Sequence, residues 1–412
     1  MIKAFRLHVQ NLRPLETGPL APHLASFAGV LMQQRYCHAT GWNKLRLVAA
    51  LSHWMDQTKL RLKDLDERRV AKFLEWRWRH YVYHSGDKCT PALLLQHLRQ
   101  LDIIPPPTPA PLTPIDVIER AYGHYLRHER SYMSASVGQY LTVARRFLWH
   151  RFRDGKIRLN ELGTRDVSDF ILKDSSIRGR RSAQLMTSVL RSFLNYLFQE
   201  GKTATNLAAA VPATAGGRLS ELPRYLEAAD VEKLLRSCDR RHNVGRSDYA
   251  VLVLLARLGL RASEVANLEL EEIDWAAGEL MIRGKGNRVD RMPLLQDIGK
   301  AIADYLKRGR PRCSTRRVFV HCKAPYAGFS SPPNAVSGIV NRALARAGLN
   351  PLNHGAHLLR HSLATNLLRG GASLAQIGQV LRHQLTSSTE IYAKVDATAL
   401  RALAQPWPGG AQ

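Results

Sequence analysis

The chain has 412 residues, enough for two or three domains that each bury a hydrophobic core without disulfides or metals. Its 60 Lys and Arg residues against 34 Asp and Glu residues give a formal net charge of +26, which predicts a polyanionic partner or, alternatively, a merely basic surface. Five cysteines without a CxxC pair argue against a disulfide framework and a zinc site and indicate a reducing cytoplasm, and no segment resembles a membrane span or signal peptide.

Two breaks in composition divide the chain. The proline-rich segment 105–114 cannot be helical and predicts a semi-rigid linker. The segment 211–223 contains Ala-Thr-Ala-Gly-Gly and predicts a flexible linker. The predicted domains are therefore an N-terminal helical domain at 1–104, a second helical domain at 115–210 and a third domain at 224–404.

The first two domains share a pattern at a spacing of about 96 residues. The runs 62–74 and 159–171 both place a Leu-x-x-Leu turn ahead of three apolar residues at helical spacing. Upstream, Arg35-Tyr36 falls opposite Ser131-Tyr132, and an amphipathic run follows each pair. The pattern predicts two small helical bundles related by duplication, with convergence between unrelated amphipathic bundles as the alternative.

Basic and aromatic residues crowd both bundles, as in 76–81 and 145–151. Paired bundles of this kind could clamp a DNA duplex, with Arg and Lys on phosphates and a helix in the major groove. Equally, each cluster could be a bundle core whose long basic side chains reach the surface. Composition does not separate these interpretations.

The third domain alternates helical and extended patterns. Asp230 is a predicted N-cap, and Gly259 ends a predicted apolar helix. A glycine-rich turn between two strands predicts a hairpin. The predicted elements are helices at 231–236, 248–258, 338–347, 357–369, 374–381 and 388–394, and strands at 279–282, 288–294 and 317–321. The fold class is therefore mainly α with a small antiparallel sheet.

Six residues carry chemistry when they occur in one order: Arg261, Lys285, His357, Arg360, His383 and Tyr392. Singly they say little, because a surface Arg, a solvated Lys or a packed Tyr is commonplace. The ordered set resembles the phage integrase, or tyrosine recombinase, family. The run 357–368 follows the family's signature helix, and His383 precedes Tyr392 by the family's nine residues. The resemblance covers about 220–400 strongly and 111–210 more loosely, as the family's helical core-binding domain.

The resemblance implies a site-specific DNA recombinase, like an integrase or a transposase, that integrates, excises, resolves or transposes DNA. Tyr392 would attack a phosphodiester and hold the cut DNA as a 3′-phosphotyrosine, without ATP, metal or cofactor. Arg261 and Arg360 would stabilise charge on the phosphate oxygens, for which permanently charged guanidinium groups are well suited. A tyrosine hydroxyl has a reference pKa near 10, so His357 would accept its proton or position the base that does.

Further roles follow from the same resemblance. Lys285 would protonate the departing 5′ oxygen, and His383 would hydrogen-bond a non-bridging oxygen. Glu264 is expected to orient Arg261 or to cap a helix, and His361 to be a buried hydrogen-bonding residue rather than a catalyst. One departure stands out: the family commonly has glycine where this chain has Arg382, which raises either a distorted turn or an added phosphate contact.

The implied partner is double-stranded DNA, bound by a homotetramer on paired sites, with related recombinases or accessory proteins as further partners. A terminal helix at 399–403 is expected to pack on a neighbouring subunit. Two alternatives stay open: a non-catalytic DNA-binding protein that kept the fold, and a monomeric enzyme like the type IB topoisomerases. Strand exchange between two sites, against relaxation alone, separates the recombinase from the topoisomerase.

Overall fold

The computed structural model describes residues 17–82, 86–107, 111–153, 156–177, 180–213, 224–284, 288–329, 332–383, 385 and 388–395. Lys285 and the predicted terminal helix at 399–403 lie outside these residues. The described parts of 1–107 and 221–412 form one compact unit, and those of 108–220 form a second. Within the described ranges, no helix combines the length and apolarity that a bilayer crossing requires.

The described residues in the N-terminal part of the first unit form four α-helices: α1 (Leu24–Gln33), α2 (His38–Gln57), α3 (Glu67–His80) and α4 (Gly86–Gln100). A 3₁₀ turn, Leu62–Asp64, precedes α3. The Asp66 side chain accepts a hydrogen bond from the Arg69 amide and caps α3. The apolar faces of the helices enclose one core, which includes Phe27, Leu45 and Phe73.

In the second unit, the part of the chain that the structure describes also forms four α-helices: α5 (Pro114–His128), α6 (Ser134–Phe152), α7 (Thr164–Ile177) and α8 (Arg180–Gln199). A 3₁₀ turn, Leu159–Glu161, precedes α7, and another, Leu207–Ala210, follows α8. Thr113 and Asp116 form a reciprocal capping box at the start of α5. The core of this unit is aromatic and includes Tyr122, Phe147 and Phe170.

The two bundles turn in the same way at corresponding points. Arg35 between α1 and α2 has φ 59°, and Ser131 between α5 and α6 has φ 52°. After α4 and α8, Asp102 and Gly201 have φ 54° and 64°. The amide that follows each of these two residues bonds the carbonyl five positions back, over 3.0 and 2.8 Å. The 3₁₀ turn before the third helix also recurs, so the order of the four helices and of this turn is the same in both.

The C-terminal part of the first unit is mainly helical: α9 (Ala228–Arg236), α10 (Asn243–Leu258), α11 (Ala262–Asn267), α12 (Gln296–Arg308), α13 (Pro332–Arg346), α14 (Ala356–Arg369) and α15 (Leu374–Val380), followed by a 3₁₀ turn, Glu390–Val395. Its sheet has the order β1 (Ile273–Asp274), β2 (Glu279–Arg283) and β3 (Val289–Pro293), all antiparallel. Leu280 pairs with both Ile273 and Met292. The buried helix α10 packs against α12, α13 and α14 and organises the core.

Some local predictions were wrong. The segment 317–321 is not a strand, because it pairs only through isolated bridges at Arg317 and Val320. Asp230 is not an N-cap: α9 begins two residues earlier, which places this carboxylate in the first turn, where it favours the helix dipole. The predicted helix at 388–394 is a six-residue 3₁₀ turn. Helix α12 was not predicted from the sequence.

Candidate active site

Arg261 lies where two helices meet. Gly259 ends α10 with φ 58°, and a Cβ atom there would approach Leu381 Cδ2 to 2.7 Å, so the close packing requires glycine. Arg261 is the N-cap residue of α11. One Glu264 oxygen accepts a hydrogen bond from the Arg261 amide at 2.8 Å, and the other accepts one from Arg261 Nη1 at 2.8 Å. Glu264 therefore both caps the helix and orients the guanidinium group.

Arg360 on α14 is 4% exposed. Its Nη1 donates to the carbonyl of Gly259, and its Nη2 donates to the carbonyl of Leu381 at 2.5 Å. Burial, and secondarily the charge of Arg261, lower the pKa of Arg360 to about 10. The group stays charged at neutral pH, and the two carbonyls hold its planar fork in one orientation.

Tyr392 is 1% exposed. Its hydroxyl lies 2.9 Å from Nδ1 of His361, a half-buried residue on α14. Burial raises the pKa of Tyr392 to about 12, although the nearby charge of Arg360 opposes the shift. The phenol is therefore neutral in this structure and hydrogen-bonded to a histidine that was expected to have a structural role only.

His357 is exposed on α14, one turn before His361, and the two rings lie 6.3 Å apart. His383 lies beyond α15, and its Nδ1 is 2.7 Å from Thr389 Oγ1. The rings of His383 and Tyr392 are parallel, with centroids 6.5 Å apart. Burial, followed by the charges of Arg360 and Arg261, lowers the pKa of His383 to about 4. His383 is therefore neutral at pH 7.

The position of Lys285 is not among the described residues, but the strands on either side of it are. Gly284 follows β2, and a Cβ atom built on it would lie 3.9 Å from Glu264 Oε1. The end of β2 is therefore close to the carboxylate that binds Arg261. The structure brings Arg261, Arg360, His383 and Tyr392 together. His357 joins them indirectly, because its ring lies 6.3 Å from the ring of His361, which contacts Tyr392. The position of Lys285 is not tested.

Two contacts of this site were not predicted from the sequence. Arg382 forms an ion pair with Glu264 at 2.6 Å, and Thr389 holds the ring of His383. Only the departure from glycine at 382 signalled the first contact. For His361, its position four residues after His357 on one helix was an available signal, because residues at that spacing share a helix face.

Comparisons with known proteins show the family of this chain. Residues 224–399 match the model of the Phage integrase family. The chain is 42% identical to integrase/recombinase y4rA of Sinorhizobium fredii over 97% of each protein, and 31% identical to tyrosine recombinase XerC of Oceanobacillus iheyensis over 61% of this chain and 78% of that protein. The chain belongs to the tyrosine recombinase family. It is a DNA strand-exchange enzyme of site-specific recombination.

Solved structures confirm the predicted fold class of this tyrosine recombinase. The XerH site-specific recombinase bound to palindromic difH substrate, a post-cleavage complex, has a TM-score of 0.55 at 19% identity and covers 82% of this chain and 94% of that chain. A lambda integrase(75–356) dimer bound to a COC′ core site has a TM-score of 0.52 at 18% identity and covers 71% and 97%. Both therefore share a fold with this chain.

Proposed function

We propose that Tyr392 of this recombinase is the nucleophile that cuts DNA. Its hydroxyl oxygen attacks a phosphodiester in line, the phosphorus bond to the 5′ oxygen breaks, and a 3′-phosphotyrosine forms. One phosphodiester replaces another of similar energy, so the DNA can be rejoined without ATP. The observation that carries this proposal is the hydrogen bond between the Tyr392 phenol and His361, beside the buried charge of Arg360.

The phenol must lose its proton during the attack. With a pKa of about 12, almost none of Tyr392 is ionised at neutral pH, so a base has to accept the proton as the new bond forms. His361 Nδ1, at 2.9 Å, is within reach of that proton. We assign the first proton transfer to His361, with His357, one turn away, as the base that receives the proton from it or positions it.

The phosphate oxygens need compensating charge. Arg261 and Arg360 are oriented by Glu264 and by two backbone carbonyls, so both guanidinium groups are set before DNA binds. If Nδ1 of neutral His383 accepts a hydrogen bond from the Thr389 hydroxyl, its Nε2–H is available to a non-bridging oxygen. We assign Lys285 as the donor of the proton that the departing 5′ oxygen takes up.

The test is covalent trapping on a nicked duplex, which loses a short DNA fragment on cleavage and cannot be rejoined. Wild-type protein should form an adduct that survives denaturation, and Tyr392→Phe should form none while still binding the duplex. Tyr305→Phe is the matched control, since Tyr305 is another fully buried tyrosine of the same unit and should leave the adduct unchanged. An adduct in Tyr392→Phe would assign the nucleophile elsewhere.

The proposed partner is double-stranded DNA, bound by a homotetramer on paired sites in the cytoplasm. The net charge of +26 supports an electrostatic contact with phosphates, and all five cysteines are free, as a reducing compartment requires. Recombinant product between two sites on one plasmid would support the tetramer. Relaxation of supercoils without exchange would identify a monomeric, topoisomerase-like enzyme instead.

We also propose the domain division at 1–104, 115–210 and 224–404, with the first bundle as a duplicate DNA clamp. The shared element order and the matching left-handed turns of the two bundles support it. Removing 1–104 should shorten the protected DNA in a footprint and reduce the salt dependence of binding, because fewer phosphates are neutralised. An unchanged footprint and salt slope would assign the first bundle a role other than DNA binding.

A further inference from the structure

The turn after α15 has a backbone conformation that favours glycine, yet arginine occupies it. Arg382 has φ 55°, in the left-handed region. Its amide bonds the Gln379 carbonyl at 3.0 Å, and the next amide bonds the Gly378 carbonyl at 2.9 Å, as in a regular helix C-terminus. The turn itself therefore does not need an arginine. Arg35 and Asp102 have similar φ values, so the conformation alone does not mark Arg382, and the contacts of its side chain carry the inference.

The Arg382 side chain points into the active site. It is 8% exposed, and its Nη2 lies 2.6 Å from Glu264 Oε2. The Glu264 side chain is 3% exposed and also binds both the amide and the guanidinium group of Arg261. One buried carboxylate is thus shared by two arginines. Arg382 fixes the oxygen that caps Arg261, and so limits how Glu264 and Arg261 can turn.

The other edge of the Arg382 guanidinium faces the β-sheet. Nη1 lies 3.9 Å from Asp290 Oδ2 on β3, too far for a hydrogen bond but within ion-pair range. Neither Nε nor Nη1 has a hydrogen-bond partner among the described residues. A Cβ atom on Gly284 would lie 3.9 Å from Glu264 Oε1 and 4.0 Å from Asp290 Oδ2. The ends of both strands that flank Lys285 therefore lie beside the carboxylates that Arg382 joins.

We propose that Arg382 is a positioning residue that couples the β2–β3 pair to Arg261 through Asp290 and Glu264. Closing the 3.9 Å gap to a hydrogen bond would draw β3 towards the site and satisfy a buried donor. A planar guanidinium can bridge two carboxylates, whereas lysine offers one compact charge and glycine offers none. The inference rests on the proposed roles of Arg261 and Lys285.

A DNA sequence that wild-type protein binds is first selected from a pool of random duplexes. Full-length Arg382→Gly and wild type are then compared on a nicked duplex of that sequence. Because glycine tolerates the left-handed turn, the variant should keep its fold and its DNA affinity. Its single-turnover cleavage should be slower by about tenfold or more, because small misplacements of reacting groups carry costs of this order. Arg382→Lys should cleave at a rate between those of wild type and Arg382→Gly. Cleavage rate, Kd and thermal midpoint are measured on the same preparations.

Asp290→Asn tests the link to the sheet. It should slow cleavage by less than Arg382→Gly, and the double variant should be no slower than Arg382→Gly alone, because both changes break one connection. Arg291→Gln is the control on the same strand, since Arg291 is exposed and pairs with Glu279. Asp102→Gly is the backbone control, with an exposed residue at φ 54°. Both controls should cleave at the wild-type rate.

Three results would overturn the inference. The first is wild-type cleavage by Arg382→Gly. The second is a loss of DNA affinity that accounts for the slower cleavage, with a salt slope lower by about one, which would make Arg382 a direct phosphate ligand. The third is additivity of Asp290→Asn and Arg382→Gly. Failure of the proposed function is distinct, because wild type would then form no adduct or Tyr392→Phe would still form one.

Discussion

The bundle of 111–213 and the catalytic region of 224–395 place their charges differently. The bundle has an aromatic core. Its ion pairs Arg151–Asp166 and Arg158–Glu161, both 2.8 Å, lie at partly exposed positions, and a buried carboxylate, Asp174, pairs with the partly exposed Arg146. The catalytic region buries Arg360, Arg382 and Glu264 in its interior. Exposed ion pairs contribute little to stability, whereas buried charges carry a desolvation cost. The catalytic region also has an apolar core, so its cluster of buried charges is an addition that suits a charged ligand.

The comparison predicts that damage to the bundle cores acts on stability. Phe73→Ala and Phe170→Ala remove buried aromatic rings at corresponding places in α3 and α7, so each should lower the unfolding free energy by about 3–5 kcal/mol. Urea unfolding measures the loss, and the cleavage rate of the remaining folded protein should stay near wild type. Phe73→Leu and Phe170→Leu, which leave smaller cavities, should lose less. Slower cleavage by variants of unchanged stability would contradict the prediction that the bundle cores act on stability.

Arg360→Lys should act on the cleavage rate rather than on stability. Lysine keeps the charge but loses the fork that two carbonyls orient, so adduct formation should slow by about 10²- to 10³-fold, as when one transition-state donor is removed. Single-turnover trapping measures this rate. Arg342→Lys is the matched control, because Arg342 is a partly exposed arginine that pairs with Asp248 on α10. Equal rates for both variants would show that burial of charge does not mark the site.

The smallest effect concerns pH. His383 has a pKa of about 4 in the folded protein against a usual 6.5, so the unfolded chain binds more protons between these values. The unfolding free energy should therefore fall as pH drops from about 6.5 to 4, and this contribution is fully present above 6.5. Urea unfolding of wild type and His383→Asn across that range measures it. If both lose stability in parallel, burial and the neighbouring charges do not depress this pKa.

Local patterns predicted much of the fold and of the candidate site. Gly259 ends α10 as expected, the strands around 285–287 pair as expected, and α14 begins one residue before His357. The segment 317–321 was misread because its apolar residues enter the core without a neighbouring strand. Periodicity reports which residues are buried, but it does not report which partner covers them.

The family and most of the catalytic elements could be read from the sequence, because helical periodicity, glycine and proline breaks and the ordered set of six residues all lie along the chain. Tertiary packing was needed to show that His361 contacts the phenol of Tyr392, 31 residues away, and that Arg382 shares Glu264, 118 residues away. Such contacts depend on how helix ends pack together. No local pattern encodes that distance, and for this reason the unexpected arginine became interpretable only when its carboxylate partner was located.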